Sequence, residues 1–173
     1  MPDKNATLIN LHQLLDYDAR RFTSAEIQLS RVLPDWINKA YNLKLKSILQ
    51  RYLEMVNDHV KKLEEFIAAE EIYSLTLRNR IIQAFIEETN EKVAECADME
   101  VRDAALLECI QAMNHFKIAS YGTATAFANE LGKERAASIF HEIEVNEKQI
   151  DDRLSQLAEH EINPRAKVHI IME

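Results

Sequence analysis

The residues of this chain that could do chemistry are polar groups standing where helical spacing calls for apolar ones. Asn114-His115-Phe116-Lys117 lies inside a pattern whose apolar positions are Leu106, Ile110, Met113, Ala124 and Phe127. That rhythm sets Lys117 on the buried stripe or at its edge. A buried ammonium without a partner is very costly, so it must meet an acid or reach water. Acids occupy comparable positions elsewhere. Glu147 interrupts the series Ala136, Phe140, Ile143, Ile150, Leu154 and Leu157, and Asp151 follows one turn later on the same side. Glu26 lies between Phe22 and Leu29, and Glu54 and Asn57 flank Val56 near the inward face of their helix.

Carboxylates projecting into a helical core suit hard metal ions such as iron or manganese. Each acid also has a plainer place at the border of its stripe, reaching solvent, which is the simplest expectation for Glu54 or Asp151 taken singly. Glu147 resists that reading, because apolar residues surround it at both helical spacings. A two-metal site of this kind normally takes a Glu from each of two helices and a Glu-x-x-His from each of two others. This chain has no Glu-x-x-His: the residues three before His59, His115 and His141 are Val56, Ala112 and Ser138. These histidines are therefore expected at the surface or at polar borders rather than as ligands.

Long helices must position these groups. The chain contains only 2 Gly and 3 Pro, too few for many hairpins or tight turns. The pattern predicts a helix over 6–32, which Pro34 should kink or interrupt before a further turn at 35–38. A second helix is predicted over 43–70, with Leu45, Leu49, Leu53, Val56, Val60, Leu63 and Ile67 inward and 71–74 breaking the pattern. A shorter third covers 76–95. Asp98 can cap a fourth over 99–131, which Gly132 should stop. A fifth is predicted over 133–160, ended by Asn163-Pro164. Short connections make the first pair and the last pair antiparallel neighbours, and the shorter helix can serve as a long crossover. The expected fold class is thus all-α: a ferritin-like four-helix bundle with an additional shorter crossover helix, one domain over 1–162 and a C-terminal extension over 163–173. The extension carries Val168, Ile170, Ile171 and Met172, and apolar residues of this kind are expected to pack somewhere.

With 173 residues, 47% of them hydrophobic and 29% charged, the chain can bury a substantial core. The net charge of -8, without a basic stripe or an aromatic platform for bases, disfavours nucleic acid. The first residues lack a signal peptide's charged and apolar regions, and no apolar run approaches the ~18 residues of a membrane span. A cytoplasmic protein is expected, with Cys96 and Cys109 as reduced structural thiols.

The stretch MEVRDAALLECIQAMNHFKIASYGTATAFANELGKERAASIF, with TSAEIQLSRVLPDWINKA earlier, resembles the YciE/YciF-type ferritin-like family of bacterial stress-associated proteins. Segments of that family read close to EVRDAAL, EHYEIASYGT and SAE followed by LP. The resemblance covers most of the chain. It implies a ferritin-like bundle, often a dimer, with a carboxylate di-metal site and an ill-defined physiological activity.

Carried over position by position, the resemblance aligns Glu26 with the Glu of the SAE motif and Glu54 with the first acid of the second helix. The acid three residues later is Asn57 here. The family's EHYE becomes NHFK, so Asn114 and Lys117 stand where two acids are expected. On the last helix the matching acids are kept as Glu147 and Asp151. The residual metal set is then Glu26, Glu54, Glu147 and Asp151, with Asn57, Asn114, Lys117 and Tyr121 as a core polar network. Two outcomes follow. In one, Lys117 bridges Glu147, Glu26 or Asp151 and replaces the metal charge, leaving a non-enzymatic protein without cofactor. In the other, the remaining acids hold one divalent iron or manganese ion, with oxidase-type activity in its strongest form, and Lys117 points away. Gly122, inside the fourth helix, is expected to let another helix or an aromatic side chain approach closely.

Overall fold

The computed structural model describes residues 7–72 and 78–167. Its elements are α1 (Leu11–Lys39), α2 (Leu43–Ala69), α3 (Arg80–Glu95), α4 (Met99–Glu130), α5 (Glu134–Leu157), a π turn (Ala158–Ile162) and a last helical turn α6 (Asn163–Ala166). No strand occurs among the described residues. The packed pairs α1–α2, α2–α5, α5–α4 and α4–α1 close a four-helix ring. α3 packs outside it, against α1 and α4, and carries the chain from one end of α2 back to the start of α4. This is the ferritin-like arrangement with a crossover helix.

Side-chain caps set the helix starts. Asn10 accepts from Gln13 N, Asn42 from Lys44 N and Leu45 N, Asn79 from Ile82 N, and Asp98 from Glu100 N and Val101 N. α1 therefore begins at Leu11 rather than near residue 6, because Asn10 offers the first cap. The start predicted at 76 for α3 falls outside the described residues, as does part of the break over 71–74; Asn79 caps the helix that is described. Gly132, at φ 65°, ends α4 as predicted: Lys133 N bonds Ala128 O at 2.8 Å and Gly132 N bonds Asn129 O at 3.0 Å.

Neither the interruption allowed at Pro34 nor the helix end expected at Asn163-Pro164 occurs. α1 runs through Pro34. Pro34 is exposed while Leu33, Trp36 and Ile37 are buried, so the missing N–H and the crowded carbonyl face water as packing holds the next turn in place. Nor does Asn163-Pro164 end the last helix. The winding widens into the π turn, Asn163 N bonds Ala158 O, and Pro164 falls in the first turn of α6, where its missing donor is tolerated. The extension from residue 168 onward lies outside the described residues.

The interior consists of two apolar clusters. One includes Leu29, Trp36, Val56, Ile110, Met113 and Ile150. The other includes Leu15, Phe22, Leu63, Phe140 and Ile143. No helix among the described residues is long and apolar enough to cross a membrane. Cys96 and Cys109 are free thiols, and burial pushes the Cys109 thiol upward, away from reactivity.

Candidate functional site: a buried charge cluster

Between the two apolar clusters lies a polar layer to which each helix of the ring contributes. α1 supplies Glu26, one turn after Phe22 and just before Leu29. α5 supplies Glu147 between Ile143 and Ile150. α4 supplies Asn114, Lys117 and Tyr121, spaced along one face. α2 supplies Tyr52 and His59. All seven are buried, with Lys117 2% exposed and Glu26 and Glu147 0% exposed.

Lys117 is the centre. Its Nζ lies 2.9 Å from Glu26 Oε1 and 3.0 Å from Oε2, and it donates to Glu147 Oε1 and, at 3.2 Å, to Tyr52 Oη. Tyr121 donates to Glu26 Oε1 at 2.8 Å. Tyr52 donates to Glu147 Oε2 at 2.9 Å, and Asn114 Nδ2 donates to the same oxygen at 2.7 Å. The ammonium also sits 5.2 Å from the centre of the Tyr52 ring. His59 Nδ1 is 3.5 Å from Glu26 Oε2 and 4.0 Å from Glu147 Oε1, while its Nε2 meets Asn146 Nδ2 at 3.1 Å. Two buried polar atoms of the layer have no hydrogen-bond partner, His59 Nδ1 and Asn114 Oδ1.

The charges hold one another in place. Burial works to raise the Glu26 carboxyl, but the ammonium of Lys117 and the neighbouring His59 overcome it and hold it down at about 2. Burial likewise opposes the Lys117 charge, and Glu147 and Glu26 more than reverse it, so its pKa lies well above the ordinary lysine value. Burial, then the adjacent carboxylates, push both phenols well up: Glu147 acts most on Tyr52 and Glu26 on Tyr121. The phenols therefore keep their protons and donate. In this charged form, donating to both carboxylates, the Lys117 nitrogen has no free lone pair to offer.

Five of the eight residues singled out from the sequence meet here: Glu26, Asn114, Lys117, Tyr121 and Glu147. Three do not. Glu54 and Asn57 are exposed on the outer side of α2, because that helix turns Tyr52, Val56, His59 and Leu63 inward. Asp151 lies at the outer border of α5, accepting from Gln111 at 3.0 Å and 2.9 Å from His115 Nε2; Ile150 takes the inward position beside it. Lys117 accordingly bridges Glu26 and Glu147 but not Asp151. His115 and His141 are exposed as expected, whereas His59 is wholly buried, contrary to expectation. The signal for Tyr52 and His59 was available: Leu45, Leu49, Tyr52, Val56, His59, Leu63 and Phe66 keep one unbroken alternation of four- and three-residue steps. At Gly122 the approach comes from α5, through the side chain of Glu144. A Cβ there would first meet Glu144 Oε1 at 3.3 Å, the end of a flexible side chain.

Glu26, His59 and Glu147 each offer a ligand atom, all within 4.8 Å of one another. This donor set does not fit a pair of metal ions. Two carboxylates and one imidazole converge where a two-metal centre draws on six side chains, and the ammonium already engages both carboxylates. A single divalent ion would match the three donors only after displacing Lys117.

Residues 10–167 match the family described as domain of unknown function DUF892. Over 145 residues the chain is 32% identical to Protein YciF of Escherichia coli strain K12, covering 83% of this chain and 87% of that protein. The crystal structure of the E. coli stress protein YciF superposes with a TM-score of 0.83 at 30% identity, over 90% of this chain and 99% of that one. YcfI from Rhodopseudomonas palustris gives 0.83 at 28% identity, over 87% and 96%. A two-domain protein of Anabaena variabilis with DJ-1-like and ferritin-like domains gives 0.59 at 15% identity, over all of this chain and 46% of that one, a likeness of fold alone.

Proposed function

The chain belongs to the DUF892 family, and from that premise we propose that it is a stress-associated, non-enzymatic member, homodimeric and cytoplasmic, in which Lys117 stands in for metal charge. One observation carries this reading: the Lys117 ammonium engages both buried carboxylates, Glu26 and Glu147, at once. A cation within hydrogen-bond distance of both acids repels a second cation, and removing it would strand two like charges in an apolar interior. The stress association rests on the relative's description as a stress protein. The bundle would then serve through its surface and its stability rather than through chemistry at its centre.

A second reading has its own support. The three convergent donors, and the unpartnered Nδ1 of His59, suit one iron or manganese ion if Lys117 swings out. That is the residue-level form of a metal-binding protein with oxidase-type activity.

Elemental analysis separates the two. Protein purified without chelator from iron- and manganese-supplemented cells should hold less than a tenth of a metal per chain, roughly a site emptied by more than 1.4 kcal/mol. Restoring acids with Asn114→Glu and Lys117→Glu together should then raise metal content. Stoichiometric metal in the natural protein, lost in His59→Ala, would establish the single-ion reading instead.

A further inference from the structure

The outer faces of α2 and α5 meet along a groove with a cationic lining, in a chain whose net charge is -8. Lys44, Ser47, Ile48 and Arg51 stand at i, i+3, i+4 and i+7 on α2. Arg153, Gln156, Leu157 and His160 repeat that spacing along α5 and the π turn. Helices ordinarily set an apolar stripe at such positions. Here only Ile48 and Leu157 are apolar. The two stripes meet across adjoining hollows of about 450 and 350 Å³, which share Ser47, Ile48 and Arg153.

The charges of the groove are unevenly engaged. Lys44 is held by Glu161, which also accepts from Asn42 at 2.8 Å. Arg51 and Arg153 are exposed. Among the described residues no carboxylate lies within 4.0 Å of either guanidinium, although Glu54 lines the same hollow. Two planar forks on neighbouring helices thus open on one space with no acid between them. A carboxylate has two oxygens and is satisfied by one such fork. A phosphoryl group turns three oxygens in different directions and can accept from both arginines and from the Ser47 hydroxyl together. Lys44 and Glu54 are about 15 Å apart along α2, and the acids at the two ends, Glu161 and Glu54, repel a polyanion that runs past the groove.

We propose that this groove binds a compact phosphate ligand, free or as a monoester, with its oxygens between Arg51 and Arg153 and beside Ser47. The half-buried side chain of Ile48 would border the organic part of a monoester. The site lies outside the ring of helices and is independent of whether the buried layer holds metal.

Amide chemical-shift titrations of the full chain test the assignment, with inorganic phosphate and phenyl phosphate set against sodium chloride at matched ionic strength. Both phosphates are expected to shift residues 44–54 and 153–160 saturably, and chloride is not. Tighter binding of phenyl phosphate identifies a monoester as the ligand, and tighter binding of inorganic phosphate identifies the free ion. Arg51→Gln and Arg153→Gln should each weaken binding by about tenfold, the loss expected with one charged hydrogen-bonding partner. Arg135→Gln, the same charge change near the opposite end of α5, should leave it unaltered. An equal response to chloride, shifts scattered over the surface, or equal weakening by Arg135→Gln overturns the proposal.

Discussion

Lys117 is worth most where it is least replaceable. Lys117→Met keeps much of the volume but leaves Glu26 and Glu147 facing each other without a cation. Breaking one side of a buried ion cluster typically costs about 3–5 kcal/mol, and chemical denaturation at pH 7 should show a loss of that size. The pH dependence should change sign as well. In the natural protein Glu26 is depressed to about 2, so its contribution is complete above the ordinary carboxyl pKa and is lost as pH falls through the folded value, over roughly pH 4.5 to 2. Lys117 is raised, so its contribution is present below the ordinary lysine pKa and is lost only in strong alkali. In Lys117→Met, acid should instead relieve the repulsion, and the melting temperature should rise between pH 7 and 5. A fall over that interval would contradict the charge-pairing account. How legible this layer was depends on side-chain type. Glu26, Glu147 and Lys117 betray themselves because a charge in an apolar series is conspicuous. Tyr52 and His59 do not, since a ring that is half apolar passes for an ordinary stripe or surface residue. Placing Leu53 and Val60 on the inward face shifted the α2 stripe by one position, which brought Glu54 inward and sent His59 out.

At the level of elements, the two glycines make opposite cases. Gly132 sits at φ 65°, and a Cβ there would meet no heavy atom within 4 Å, so the strain in Gly132→Ala is purely conformational and should cost about 1–2 kcal/mol. Gly122 lies in mid-helix, and the nearest atoms a Cβ there would meet belong to the Glu144 side chain. Gly122→Ala should be neutral to stabilising by up to about 1 kcal/mol, because the helical preference for alanine exceeds the small shift asked of a flexible carboxylate. Thermal melts of the pair would check both, and destabilisation by Gly122→Ala would mean that Glu144 cannot move. Asp103 is a third test. Buried on α4, it accepts from Tyr41 N at 2.8 Å and Asn42 N at 2.7 Å, pinning the α1–α2 turn. Asp103→Ala should cost about 2–4 kcal/mol, since two turn N–H groups lose a charged acceptor, and hydrogen exchange should report it first at residues 40–43. Helix existence and type were legible from apolar spacing and caps. Continuity through Pro34 and past Asn163-Pro164 was not legible, because the packing of Trp36 and Ile37 and the widening of the π turn act through tertiary contacts and backbone geometry that local propensity does not contain.

The whole molecule is a ring of four helices enclosing a charged layer between two apolar clusters. Its ring was legible because short connections force neighbours to be antiparallel; which side chains share a level was not, because level depends on the axial offset between helices. That layer also bears on how the chain folds. The α4–α5 hairpin can bring Lys117 to Glu147 early, through contacts close in sequence. Glu26 and Tyr52 must arrive from the other hairpin, across the crossover. A half-docked intermediate therefore carries an unsatisfied charge into its interior, and the layer completes only when both hairpins close on it. Glu26→Gln should accordingly act late: refolding nearly unchanged, unfolding faster by about tenfold for each ~1.4 kcal/mol lost. Stopped-flow chevrons would show this, and a slowed refolding arm would mean the layer already exists in the transition state. The buried charges and phenols thus make the two hairpins fold as one cooperative unit, because neither can be the whole solvent of its own ions.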